Sequence, residues 1–144
     1  MPTKSRDAKS LLVDTSVALA LLAVDHEEHR AAIEHVRGRT LGLAGHALFE
    51  TYSLLTRLPP PLRVSPHSAE RLISAGFPIA AQLSPRRSVA LLARLAGAGI
   101  AGGSVYDALV AAAAIEHDLP LLSRDRRAVG TYQALGVRLE LLAC

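Results

Sequence analysis

Short apolar runs alternate with stretches of helical spacing along most of this chain, and that alternation restricts the possible folds more than any other feature. Leu11-Leu12-Val13, Leu41 to Ala44, Pro120-Leu121-Leu122 and Val137 to Leu142 read as strands, with Phe77 to Ala80 as a short edge strand. Runs this brief and this continuously apolar suit strands covered on both faces. Helical stretches fill the intervals. Val17 to Ala23 is capped by Thr15 or Ser16, and a second stretch starts at Asp25 and closes at Gly38, with Ala32, Ile33 and Val36 on one face. A third runs from about His46 to Arg57, with Leu48, Tyr52 and Leu55 inward, and Pro59-Pro60-Pro61 stops it. Ser65-Pro66 and Ser84-Pro85 open two more, because Ser caps a helix and Pro suits its first position. Asp107 starts an Ala-rich helix to about His117, and a last helix ends at Gly136. The pattern predicts an α/β fold: a three-layer α/β/α sandwich around a central, mostly parallel sheet of four to five strands. Residues 11–144 form a single domain after a flexible N-terminus at residues 1–10.

Half of the 144 residues are apolar, and the core they form is aliphatic, with no Trp, two Phe and three Tyr. The one cysteine, Cys144, excludes an intrachain disulfide framework and a Cys-based zinc site, which fits a cytoplasmic location. No basic-then-apolar leader opens the chain. The longest apolar runs, Val17 to Val24 and Ala108 to Ile115, are too short to span a membrane. The net charge is +3, carried by fourteen Arg against two Lys, and Arg suits phosphate contacts. The scarcity of aromatic residues argues against a base-stacking platform, so any RNA binding would rest on phosphates and shape.

Four acids stand where such a sheet collects its ligands, along the carboxyl edge of the strands. Asp14 ends the first strand, Glu50 lies in the second turn of the helix after the second strand, Asp107 opens a helix, and Asp125 follows Leu121-Leu122. A helix of about eleven residues after Asp107 descends about 16 Å, and the next strand climbs back toward the same edge. Four carboxylates in one small volume repel each other unless a cation lies between them. Hard oxygen ligands suit Mg²⁺ or Mn²⁺, which orient a water and stabilise charge on a transferring phosphate. Ser16 and Ser123, each two residues from an acid, are placed to hold the carboxylates. Each acid also has a simpler reading as a helix cap, Asp107 and Asp125 above all. Glu50 fits that reading least, because it sits between Phe49 and Tyr52, where a lone buried charge is costly.

The order and content of these segments resemble a known family. Leu11-Leu12-Val13-Asp14-Thr15-Ser16 is similar to the opening motif of PIN domains, and Ala47 to Pro59 resembles the second motif of VapC toxins, with Glu50 as its acid. Ser104 to Ala113 resembles the third motif through Asp107, and Leu121 to Asp125 the fourth through Asp125. The resemblance implies a Mg²⁺- or Mn²⁺-dependent ribonuclease whose metal is held by Asp14, Glu50, Asp107 and Asp125. It implies the toxin half of a type II toxin–antitoxin pair that inhibits translation, usually a homodimer. A VapB-type antitoxin blocks the groove and supplies the DNA contact. Some family members carry a further acid three residues after the fourth motif's Asp; here Ala128 stands in that place, which leaves open one metal or two.

Other residues have competing readings. Histidines 26, 29, 35, 46, 67 and 117 suggest zinc only weakly; His46 lies four residues before Glu50 on one helix face. Arg124, Arg126 and Arg127 flank Asp125 and are placed to hold a phosphate, whereas Arg86 and Arg87 read as a solvated face. Two other function classes compete with the nuclease. A dehalogenase-type or phosphotransfer enzyme with a nucleophilic Asp14 is disfavoured, because Ser16 stands where a second acid is needed and both lysines precede the first strand. A catalytically silent binding module on the same fold is the other.

Overall fold

The structure, a computed structural model, describes residues 9–143. Most of the expected flexible start, and Cys144, lie outside the described residues. Ser10, which the sequence places in the polar lead, already belongs to the first strand.

Five strands make one sheet: β1 Ser10–Val13, β2 Thr40–Ala44, β3 Ile79–Ala81, β4 Leu121–Ser123 and β5 Leu139–Leu141. All pairings are parallel, in the order β3-β2-β1-β4-β5. The helices among the described residues are α1 Thr15–Leu22, α2 His29–His35, α3 Ala47–Thr56, α4 Pro66–Gly76, α5 Pro85–Ala98, α6 Ser104–Glu116 and α7 Val129–Leu135. They pack in two groups: α1 against α2 and α3, with α4 on α3; and α6 against α5 and α7. The sheet lies between the groups, so Leu11, Leu12, Val13, Leu121 and Leu122 are wholly buried. This explains why these strands read as unbroken apolar runs instead of alternating ones.

The strand order carries a functional consequence. From β1 the chain builds β2 and β3 to one side, then crosses to add β4 and β5 on the other. The reversal falls between β1 and β4, and ligands of open parallel sheets bind at such a point. Register brings Val13 beside Leu122, and Asp14 N–H donates to the Leu122 carbonyl at 3.2 Å. Asp14 and the residues after β4 therefore share one crevice.

Several boundaries differ from the sequence reading for identifiable reasons. α1 is capped by Asp14, whose side chain accepts from Val17 N–H at 3.2 Å, and not by Thr15 or Ser16. The stretch from Asp25 is helical only over His29–His35; turns occupy its start. β3 begins at Ile79, because Phe77 turns into the core at 7 % exposure as the C-cap of α4. The inward face of α3 is Ala47, Thr51 and Leu55, so Phe49 and Tyr52 point outward at 66 % and 38 % exposure. Ser65 and Ser84 cap α4 and α5 with Pro at the first position, as the two Ser-Pro pairs predict.

Two glycines set the spacing near the site. A Cβ on Gly42 in β2 would lie 2.6 Å from the Ile79 carbonyl oxygen and 2.8 Å from Leu12 Cδ2. Gly45 follows β2 at φ +49°, and a Cβ there would meet Ala113 and Leu109 of α6 at 3.0 and 3.1 Å. The close approach at Gly45 seats α6, and with it Asp107, against the end of β2. Gly42→Ala is expected to lower unfolding stability by about 1–3 kcal/mol through overpacking, read as a lower denaturation midpoint at unchanged m-value.

Candidate active site

Asp14, at 4 % exposure, is the hub of the crevice. Its Oδ1 accepts from Ser16 Oγ at 2.5 Å and from Val17 N–H at 3.2 Å. Its Oδ2 accepts from Ser123 Oγ at 2.5 Å and from the Tyr132 hydroxyl at 2.8 Å. Each serine also accepts a backbone N–H from the loop after β4: Ser16 Oγ from Arg124 at 3.1 Å and Ser123 Oγ from Asp125 at 3.0 Å. Two hydroxyls thus stitch the end of β1 to the segment carrying Asp125.

Asp14, Glu50, Asp107 and Asp125 all line one open cavity of about 510 Å³. Ser16, Leu19, Arg124, Arg126, Arg127 and Tyr132 complete much of its wall. Asp125 accepts from Arg127 N–H at 3.0 Å, with the Arg127 guanidinium 3.5 Å away. Glu50 is half-exposed on α3, so the argument that a buried lone charge needs a cation does not apply to it; the helix phase turns it outward. His46 Nε2 lies 3.9 Å from its carboxylate. His46 in turn stacks on Tyr106, with ring centroids 4.8 Å apart.

Asp107 is not a cap. The N-cap of α6 is Gly103, and Asp107 stands one turn inside the helix. Among the described residues it has no hydrogen-bonding or ion-pairing partner for its side chain. Burial first, then the fields of Asp125, Asp14 and Glu50, push its carboxyl up to about 6. Asp107 therefore feels the other three acids, as expected of a site that suits positive charge.

Among the described residues, no group of three or more His, Cys, Asp or Glu side chains stands arranged to hold a metal ion. The acids share a cavity and a field, not a ready-made coordination sphere. All four acceptor directions of Asp14 are in use. The donor chemistry still fits a hard divalent ion: oxygens only, several negative charges, and an unpaired Asp107 whose ionisation is opposed by its neighbours.

This fit has a measurable consequence. A carboxyl raised from 3.8 to about 6 binds more protons in the folded than in the unfolded chain across that window. Its contribution to stability therefore falls as pH rises from about 4 to about 6. A divalent ion offsets the repulsion only where Asp107 is ionised. The rise in melting temperature on adding Mn²⁺ is expected to be largest above pH about 6 and to fade toward pH about 4.

Three of the neighbouring basic residues behave differently from one another. Arg124 grips Glu28 through two contacts of 3.2 Å, so its guanidinium is committed to an ion pair at the cavity wall instead of standing ready for a phosphate. Arg127 is 94 % exposed along its side chain, and Arg126 also lines the cavity. Four histidines are held elsewhere: His26 by Glu28 N–H, His29 by the Ala20 carbonyl, His35 by Glu140 and His117 by the Gln82 carbonyl. Ala128 is buried in the core at 1 % exposure.

Sequence reasoning missed Tyr132 and Glu28. A signal for Tyr132 existed: Ala128, Tyr132 and Leu135 form an i, i+4, i+7 apolar face, and a buried tyrosine hydroxyl needs a partner. Nothing local points Glu28 at Arg124, 96 residues away.

A parallel α/β sheet with an acidic cavity at its switch point defines the class, and comparison with known proteins narrows it. A family model described as PIN domain matches residues 11–132. Ribonuclease VapC27 of Mycobacterium tuberculosis is 48 % identical over 133 residues, covering 92 % of this chain and 97 % of that protein. Ribonuclease VapC40 of the same species is 42 % identical over 132 residues, covering 90 % and 96 %. The chain belongs to the PIN-domain family, in its VapC branch. Among solved structures, VapBC2 from Rickettsia felis bound to a promoter DNA fragment shares the fold at TM-score 0.65 and 15 % identity, covering 93 % of this chain and 99 % of that one. FitAB bound to the IR36 DNA fragment does so at TM-score 0.66 and 17 % identity, covering 91 % and 94 %.

Proposed function

We propose that this chain is an endoribonuclease, the toxin of a type II toxin–antitoxin pair, and that it hydrolyses RNA phosphodiester bonds with a divalent cation. The observation that carries the reading is the convergence of Asp14, Glu50, Asp107 and Asp125 on one cavity, with Asp107 pushed up by the other three and by burial. The ribonuclease names of relatives that match almost end to end support the activity. The VapBC and FitAB neighbours share the fold of the chain.

The cation is Mg²⁺ or Mn²⁺, held by the four acids, and when bound it supplies an activated water and charge stabilisation on the scissile phosphate. The chain's own groups do the rest. Ser16 and Ser123 fix the Asp14 carboxylate. Arg126 and the exposed Arg127 offer charge-assisted bonds to the phosphates that flank the cut. Arg124 keeps the wall in place through Glu28. A VapB-type antitoxin is the protein partner, and contact with operator DNA passes through it. Residues 11–144 act as one domain, and we place the protein in the cytoplasm as a homodimer. No helix among the described residues is long and apolar enough to cross a membrane.

The decisive experiment incubates the purified chain with cellular RNA, in Mg²⁺, in Mn²⁺ and in EDTA, and maps the RNA ends. Cleavage in either metal that EDTA abolishes supports the reading. The filled acceptor directions of Asp14 favour a second reading, a silent binding module. No cleavage and no metal-induced change in melting temperature would select it.

A further inference from the structure

We propose that Tyr132 is a positioning residue for the acid site: its hydroxyl holds the Asp14 carboxylate in the orientation that serves a divalent cation. The inference rests on the metal-dependent reading above. Asp14 has four acceptor directions and four donors, and the donors are not equivalent. Val17 N–H belongs to the helix turn that Asp14 caps. Ser16 and Ser123 hydroxyls turn about a single bond and can release an acceptor direction when a cation draws on it. The Tyr132 O–H also turns about its C–O bond, but the buried ring fixes where its oxygen sits. Its hydroxyl sits at the end of a ring 1 % exposed, on a helix 118 residues along the chain from Asp14.

The phenol oxygen lies 2.8 Å from Asp14 Oδ2, so any rotation of the carboxylate breaks a buried bond that nothing nearby replaces. The hydroxyl donates its proton to that bond. Tyr132 also lines the cavity itself, so the fixed donor is part of the wall that a bound ion meets. Groups that orient a metal-binding side chain in this way change affinity by about 10–100-fold when removed.

Tyr132→Phe deletes only the oxygen. Mn²⁺ binding is followed by the electron paramagnetic resonance of the free ion in the wild-type chain, Tyr132→Phe, Asp14→Asn and the double variant. The expected result is Mn²⁺ affinity weaker by about tenfold or more in Tyr132→Phe. On the Asp14→Asn background the same change is expected to have little further effect, because it acts through Asp14. Tight wild-type binding with unchanged affinity in Tyr132→Phe overturns this inference alone, even if melting temperature drops, since a merely structural bond would do that. Absence of Mn²⁺ binding to the wild-type chain overturns the metal reading and this inference together. A second measurement leaves Tyr132 and Asp14 unchanged. Adding Mg²⁺ to the wild-type chain is expected to perturb the near-ultraviolet tyrosine band as the bond to Asp14 weakens, a change retained in Tyr52→Phe and Tyr106→Phe. A band that ignores saturating Mg²⁺ overturns the proposal.

Discussion

Asp14→Asn is expected to reduce RNA cleavage by on the order of 10²–10³-fold or more, the scale of losing a charge-stabilising group at a reacting centre. It is also expected to destabilise the fold, although Asn is the same size. The structure gives the reason. Asp14 is nearly sealed from solvent and accepts four hydrogen bonds, while Asn presents an NH₂ group to two of those donors. Donor facing donor at a buried site costs about 1–3 kcal/mol. Denaturant melts and single-turnover cleavage, measured on one preparation below its transition, separate the two effects. Wild-type cleavage in a folded Asp14→Asn chain would remove this residue from the chemistry.

Asp107→Asn is expected to lose cleavage on a similar scale and yet to gain stability in metal-free buffer. Asn mimics the protonated carboxyl, and the protonated form is the one the folded site prefers below pH about 6. A displacement from 3.8 to about 6 corresponds to roughly 3 kcal/mol at most, and solvent screening of this half-buried group lowers the expected gain at pH 7 to about 1 kcal/mol. The sign is checked by pH. Both forms are neutral below pH about 4, so the advantage of Asn should vanish there and grow as pH rises through about 6. Saturating Mn²⁺ should reverse the order, because the ion then stabilises only the chain that keeps its carboxylate. Two Asp→Asn variants in one cavity thus move stability in opposite directions while both silence activity. A uniform loss of stability would show that the acids are structural rather than mutually repelling.

The parts of this fold that were legible in the sequence are those governed by local chemistry. Strands buried on both faces left unbroken apolar runs, and Ser-Pro pairs marked two helix starts through capping that needs no tertiary partner. The acids were legible because a parallel sheet sends every strand end to one edge. What stayed hidden depends on contacts across the fold. The phase of α3 follows from packing of Ala47, Thr51 and Leu55, so the outward turn of Glu50 and Phe49 was not readable from apolarity alone. The Arg124–Glu28 pair and the Tyr132–Asp14 bond join residues 96 and 118 positions apart, and no local pattern announces either. That no trio of metal-binding side chains stands arranged among the described residues was not readable either, because sequence spacing carries no distances.

The stitching of Asp14 by Ser123, Tyr132 and the backbone at 124 and 125 has a bearing on the order of events during synthesis. The first acid leaves the ribosome early, and the two donors to its Oδ2 follow 109 and 118 residues later. A chain interrupted before residue 123 keeps the Ser16 and Val17 donors to Oδ1 but lacks both donors to Oδ2. By this wiring the acid is aimed only after the far side of the sheet has been laid down.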